Sequence, residues 1–400
     1  MYVELADTPA LRSFAEEIRS WLARNLTDDL RLPLLADPTA ADDDEYETRL
    51  AWQRRLHAGG WAAVHWPREH GGRSAPLIEH AIFLQECAQA GAPEPVNAIG
   101  LLMAGPTIIA FGSAEQHGLL PRILSADDIW CQLFSEPEAG SDLGNISTRA
   151  VRTADGWRVT GQKMWTSWGT RADRGLLLAR TSDQPGGRGL SCFLLDMRAP
   201  GVTVRPVRQM SGESHFSEVR LDDVRVPAAD LLGPEGGGWA VAMSTLTSER
   251  TTGVFARHAH LVQAAEKLLG LAARRPSDAA AVDRAARLWS QSQLMRLAAY
   301  DGAWSAAAEP DAPAPVSLLL QRLCWGLTAR AVMEEGQRLS AWLADRDADE
   351  RQWNRLLLAS RGWTIAGGTS EIQRNMLAER VLGLPRQSRP ATAARGGDAR

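Results

Sequence analysis

At 400 residues, with 44% hydrophobic and 23% charged residues and a formal charge of −4, the chain has the make-up of an ordinary soluble protein with room for two or three packed units. That balance excludes a surface specialised for nucleic acid, which needs clustered positive charge. No apolar run reaches the roughly 18–20 residues of a membrane helix. The acidic start MYVELADTPALR lacks a signal-like apolar core, so a cytoplasmic location is expected. Cys87, Cys131, Cys192 and Cys324 form no CxxC pair; they read as buried thiols, and no metal site is expected. Of 44 cationic residues only Lys163 and Lys267 are lysines, and most of the 15 tryptophans are expected in core or interface.

The first third reads helical. Thr8-Pro9 supplies a cap and an N1 proline ahead of Leu11, Phe14, Ile18, Trp21 and Leu22, an amphipathic spacing. A loop is expected over Asp29 to Asp44, then helices over Glu45–Ala58, Leu77–Ala90 and Asn97–Phe111, with a shorter one towards Leu124. Near residue 129 the period changes to that of strands. Asp155-Gly156 signals a hairpin before Trp157–Thr160, and Leu176–Ala179, Leu190–Leu195, Val202–Val207 and Glu218–Val226 are further strand candidates. The glycine-rich run 233–238 closes this part. Helices are expected from Trp239 to Ala273, Ala279 to Ala308, Val316 to Asp345 and Ser370 to Leu382, with Pro310 to Pro315 as a connector. The expected division is a helical domain over 1–128, a β-domain over 129–236, a helical bundle over 237–386 and a tail without fixed structure over 387–400.

Residues 130–168 carry the chemistry-bearing signals. Ser135-Glu136-Pro137-Glu138-Ala139-Gly140-Ser141-Asp142 and Gly161-Gln162-Lys163-Met164-Trp165-Thr166-Ser167-Trp168 place hydroxyls, a tight turn and indoles at strand ends. A planar cofactor with a polar rim needs such groups: close backbone approach, edge hydrogen bonds and an aromatic wall.

With the later AGGTSEIQRNMLAERVLGLP, these motifs make the chain resemble the acyl-CoA dehydrogenase family of flavoproteins, in particular bacterial members with a Glu-Arg pair in the first helix of the C-terminal domain. The resemblance implies a multidomain α+β fold: N-terminal α-helical domain, middle β-barrel or sandwich domain, C-terminal four-helix bundle. It implies FAD between the last two. Leu133 and Ser135 would meet the pyrimidine edge, Trp165 the ring face and Ser167 the N5 region. Ser141 would meet the CoA side, and Thr369 and Glu371 the flavin from the final helix. The implied reaction is α,β-desaturation of an acyl-CoA or acyl-carrier-protein thioester in lipid metabolism. Electrons would pass to an electron-transfer flavoprotein, in a homodimer, homotetramer or hetero-oligomer.

That reaction requires a base for the α-proton. Much of the family places a Glu directly before the last Gly-Thr, where this chain has Gly367; its N–H remains able to bind the thioester oxygen and contact the cofactor. Other members place the base before the arginine of the first C-terminal helix, and Glu249-Arg250 stands there. Ala242, Leu246, Glu249, Gly253 and Ala256 fall on one expected stripe, a small and apolar setting that would raise the carboxyl pKa by burial. Arg250 would face CoA or a neighbouring helix. Glu213, Glu218 and His215 are weaker candidates.

Two family features are missing. The Arg-Phe-Gly that binds FAD pyrophosphate is replaced by AARRPSDAAAV, leaving Arg274 or Arg275, and the glycine-rich loop before the last motif is replaced by SAWLADRDADERQWNR, read as a solvated charged face. Two alternatives stay open: a flavin oxygenase or oxidase, since reduced flavin reacts with oxygen where a site admits it, and a non-catalytic partner subunit, which Gly367 and the missing loop motivate.

Overall fold

The computed structural model describes residues 8–32, 43–275, 277–308, 316–342 and 348–385. The expected tail, the Pro310–Pro315 connector and residues 33–42 of the expected first loop lie outside them. Helix α1 (Pro9–Asn25) starts where the cap predicts: Thr8 Oγ1 accepts from Leu11 N at 3.3 Å, and Leu11, Ala15, Ile18 and Leu22 are buried. With α2 (Asp43–Ala58) and α3 (Leu77–Gln89) it shares one core with helices 200 residues on. Tyr300 Oη donates to Ala81 O at 3.1 Å, and Arg296 Nη1 to Gln85 Oε1 at 2.7 Å. The helix expected over Asn97–Phe111 contains a π-helical turn, Gly100–Ala104, that runs into α4 (Gly105–Phe111). Short helices α5 (Ala114–His117) and α6 (Leu120–Ser125) follow.

The middle of the chain forms one eight-stranded sheet. Its strands are β1 (Trp130–Leu133), β2 (Arg149–Thr153), β3 (Gly156–Ser167), β4 (Arg174–Arg180), β5 (Leu190–Asp196), β6 (Val202–Val207), β7 (Phe216–Pro227) and β8 (Leu231–Leu232). The order is β6-β7-β3-β2-β4-β5-β8, and β1 pairs in parallel with β4. β3 and β7 are antiparallel from Gly156↔Pro227 to Ser167↔Phe216, with register shifts between Val159 and Gly161 and between Lys163 and Thr166. One face packs on Val219, Val224 and Phe193; the other lies under α4, α6 and the first C-terminal helix. Because β4 and β5 are covered on both faces, they read as continuous apolar runs.

The helix expected from Trp239 to Ala273 is two helices, α7 (Gly238–Thr252) and α8 (Val254–Ala273), parted at Gly253. The sequence STLTSERTTG explains the break. Thr245, Thr247, Thr251 and Thr252 each return a hydroxyl hydrogen bond to the carbonyl four residues back, which weakens and bends a helix. Ala256 therefore does not continue the Glu249 stripe. Then come α9 (Ala279–Ala308), α10 (Val316–Trp342), α11 (Ala348–Ala359) and α12 (Ser370–Arg380). Helix α11 buries Trp353 and Leu356 against Val332 and Leu339 and leaves Arg351 exposed; residues 343–347 of the segment read as a solvated charged face lie outside the described residues. Cys131 and Cys192 are buried as expected, but Cys87 is half-buried and Cys324 exposed.

Candidate active site

The strand half of the site is cross-braced from within. Lys163, on β3, is fully buried; its Nζ donates to Phe134 O at 3.0 Å and to Glu136 Oε1 at 2.9 Å. Glu136 also accepts from Ser147 N at 2.6 Å, Ser147 Oγ at 2.7 Å and Thr148 N at 2.9 Å. Burial alone would raise the Glu136 pKa, but the Lys163 charge and these donors hold it at about 2. Burial lowers Lys163 to about 8 against the pull of Glu136, so both groups stay charged at neutral pH. Met164 N donates to Ser135 O at 2.9 Å. The two motifs of the sequence are thus one object, with Leu133 buried in β1 and Ser135 and Ser167 half-buried at its rim.

Trp165 projects from this object. It sits at the second register shift of β3 with φ +63°, and it is 54% exposed. An L-residue with a bulky side chain pays for that conformation. The strain turns the indole out of the sheet, edge-on to Phe216 at 5.9 Å between ring centres. Beside it, Trp168 N donates to His215 O at 3.1 Å, and Gln209 Nε2 contacts His215 Nδ1 at 2.8 Å. Arg355 of α11 lies 3.3 Å from Glu213 in the same loop, while Gln162 Nε2 donates to Glu218 at 2.8 Å. Glu213, Glu218 and His215 are therefore engaged in holding the β-domain together and docking it on the bundle.

The helical half brings Glu249 to Gly367. Helix α7 is fixed by Thr107 Oγ1 against Thr245 Oγ1 at 2.8 Å and by Ser248 Oγ donating to Leu102 O at 2.9 Å, anchors in the same turn and the turn before Glu249. A Cβ built on Gly367 would lie 3.1 Å from Glu249 Oε1 and 3.3 Å from Arg322 Nε. Gly367 also has φ +66°, a left-handed conformation that favours glycine. A carboxylate residue at 367 would be strained by that φ and would crowd the one already supplied from α7. The surroundings of Glu249 are not the apolar ones expected. Arg257 Nη2 is 3.1 Å from its Oε1, and Arg250 and Arg322 stand nearby. Burial lowers the pKa of both, Arg322 to about 10. Arg250 Nε is sealed from solvent without a hydrogen-bond partner among the described residues.

The other expected site residues are spread around these two clusters. Ser141 is exposed beyond the Glu136 turn. Thr369 caps α12, its hydroxyl accepting from Ile372 N at 3.3 Å, and Gln373 Nε2 reaches back to Gly367 O at 3.4 Å. Glu371 lies in the exposed first turn of α12, 3.7 Å from Arg374. Arg275 follows α8 at a half-buried turn, with Arg274 exposed beside it. Sequence reasoning missed Lys163, Arg257 and Arg322. Lys163 had a signal, as one of two lysines in a chain that otherwise uses arginine; the arginines had none.

These residues fit a flavin. An outward indole, rim hydroxyls and a rigid turn suit a flat heterocycle on the strand side, and the bundle holds a carboxylate beside a glycine backbone. No group of His, Cys, Asp and Glu suited to a metal ion occurs among the described residues, and no helix among them is long and apolar enough to cross a membrane.

Comparison with known proteins agrees with the three-part fold. The acyl-CoA dehydrogenase N-terminal, middle and C-terminal domain families match residues 8–127, 131–224 and 236–382. Acyl-CoA dehydrogenase IpdE1 of Mycolicibacterium smegmatis is 38% identical over 396 residues, covering 94% of this chain and 98% of that protein; IpdE1 of Mycobacterium tuberculosis is 38% identical over 386 residues, covering 95% and 99%. Among solved structures, the ChsE4-ChsE5 complex of Mycobacterium tuberculosis is 29% identical with a TM-score of 0.75, covering 97% of this chain and all of that one. A Tcur3481-Tcur3483 steroid ACAD variant is 25% identical with a TM-score of 0.80, covering 94% and 99%. The chain therefore belongs to the acyl-CoA dehydrogenase family, oxidoreductases that act on acyl-CoA.

Proposed function

We propose that the chain is an FAD-dependent α,β-dehydrogenase of an acyl thioester with Glu249 as its base. The observation that carries this is the approach of the Glu249 carboxylate to within 3.1 Å of the point where a side chain on Gly367 would begin. A base supplied from α7 thus arrives where the family resemblance leaves a glycine. Bound FAD would supply the acceptor for the hydride that leaves the β-carbon. The chain's own residues do the rest. Ser135, Ser167 and the strained Trp165 hold the ring's edge and face, and Leu133 anchors the strand beneath them. Thr369 and Glu371 approach from α12, Ser141 and Arg250 bracket the CoA portion, and Arg275 is offered to the pyrophosphate. Glu249 accepts the α-proton while Gly367 N–H donates to the thioester oxygen, where negative charge grows as the Cα–H bond breaks.

The supply of a carboxylate where Gly367 has none favours a competent subunit over a non-catalytic one. An oligomer is part of the proposal, as the family resemblance implies; Leu294 on α9 and Leu327 on α10, 66% and 47% exposed, are candidate contacts for it. The heteromeric relative makes a second, different chain a fitting partner. A cytoplasmic setting and an electron-transfer flavoprotein as acceptor complete the reading.

The test is anaerobic bleaching near 450 nm of the FAD-loaded protein by butyryl-CoA, octanoyl-CoA and a steroid-side-chain CoA thioester. Bleaching by at least one is expected. A protein that binds no FAD, or is bleached by none, contradicts the proposal.

A further inference from the structure

Arg322 belongs to no motif, yet it ties together the groups around the proposed base. From α10 its Nη2 donates to Trp363 O at 2.6 Å and to Ala366 O, the carbonyls on either side of the turn that delivers Gly367. Gly326, one helical turn further along, leaves so little room that a Cβ there would stand 3.2 Å from Trp363 O. Helix and turn therefore meet backbone to backbone, with the Trp325 and Trp363 rings 5.4 Å apart beside them. Arg322 Nε is sealed from solvent and has no hydrogen-bond partner among the described residues. It flanks the same point beside Gly367, at 3.3 Å, that Glu249 Oε1 flanks at 3.1 Å.

The charges facing this corner come from four helices: Glu249 and Arg250 from α7, Arg257 from α8, Arg322 from α10 and Arg380 from α12. Glu249 is the lone carboxylate in that set. A structural brace could be made of uncharged groups; a guanidinium with two carbonyls on one nitrogen and its Nε left unused beside a carboxylate is costly unless its charge and fork geometry are needed.

We infer that Arg322 is a positioning residue for this reaction: it fixes the 363–367 turn so that Gly367 N–H and the Glu249 carboxylate keep a set separation, and its charge acts on the base without contact to the substrate. The inference rests on the dehydrogenase reading, and its test separates the two. Using a thioester that bleaches the wild-type holoenzyme, Arg322→Gln is expected to slow anaerobic flavin reduction 10- to 100-fold. Thioester affinity, read from the perturbed flavin spectrum, stays within threefold. Arg322→Lys, which keeps the charge but reaches one carbonyl at a time, should fall between. The acid limb of the rate–pH profile should move to higher pH in Arg322→Gln and less in Arg322→Lys, because a positive charge beside the base is lost only in the former.

Wild-type rates, or slower rates with an unmoved profile and matching losses of bound FAD and thermal stability, overturn the inference and leave a plain structural brace. Should no thioester bleach the wild type, it is the dehydrogenase reading that fails. Amide hydrogen exchange over 362–369 then still reads the turn in Arg322→Lys, the variant better able to fold: faster exchange supports its fixation by Arg322, and unchanged exchange overturns it.

Discussion

Glu136 and Glu249 are both carboxylates with a cation about one hydrogen bond away, Lys163 at 2.9 Å and Arg257 at 3.1 Å. Their settings differ. The first pair is 4% and 0% exposed, and backbone and hydroxyl donors complete the carboxylate's shell. The second is 19% and 31% exposed and sits among surplus guanidinium charge, with the Nε donors of Arg250 and Arg322 unused among the described residues. A buried charge that is fully paired and bonded fixes one conformation at some cost in stability. A half-open one with spare donors can change partners when a ligand arrives. The strand half is therefore finished as a scaffold before anything binds, whereas the helical half is left for a substrate to complete.

Removing a cation from each half should break the comparison most visibly. Lys163→Met strands the Glu136 charge in the interior, and about 3–5 kcal/mol of stability should be lost. Adding Glu136→Gln to it should recover much of that loss in urea unfolding. Arg257→Gln, at a partly exposed pair, should cost no more than about 1 kcal/mol while slowing flavin reduction. A Lys163→Met protein as stable as the wild type would contradict the scaffold view.

Acid should separate the halves next. Burial lowers His65 to about 4 and His258 to about 3, and His80, 4.5 Å from His65, goes well below its ordinary value. Unfolded histidines take up protons from about pH 6.5 downward, and these folded ones do not. The unfolded state thus binds more protons in that range, and stability falls as pH drops from 6.5 towards 4. The low folded pKa of Glu136 stabilises the fold above about 4.5 and is lost only as pH falls from there towards 2. Hydrogen exchange followed from pH 7 to 4 should show α3 and α8, which carry His80 and His258, opening before β3. Simultaneous opening would erase the distinction.

The smallest effect belongs to Trp165. Glycine accepts φ +63° without strain, so Trp165→Gly should stabilise the apoprotein by about 1 kcal/mol and weaken FAD binding at least tenfold. Unchanged FAD affinity would remove the indole from the cofactor wall.

Much of this was legible in the sequence, for physical reasons that also mark its limits. Capped and periodic helices such as α1 and α9 declare themselves locally, as does strand β3, which opens at the Asp155-Gly156 turn. The short strands β1 and β2 did not, because their pairing with β4 is set by distant residues. Nor did the break at Gly253, where hydroxyl back-bonding overrode an otherwise helical pattern. Glu249 was legible as a candidate base because Gly367 stands where much of the family has a carboxylate. Its charged surroundings were not, since Arg257 and Arg322 reach it from helices whose packing no local period reveals. The Lys163–Glu136 pair lay inside the two most conspicuous motifs; their glycines and hydroxyls drew attention to the rim, while the buried charges that join them were side chains of an apparently ordinary loop and strand.

The central claim is that proton removal belongs to Glu249 and cofactor holding to the strand half. Anaerobic reduction of FAD-loaded Glu249→Gln by a thioester that bleaches the wild type tests it most directly. The predicted result is a bound, oxidised flavin with full 450 nm absorbance, an unperturbed thermal midpoint and a reduction rate at least about 1,000-fold lower, the upper part of the range for losing a general base. Reduction at the wild-type rate, with FAD still bound, would contradict it.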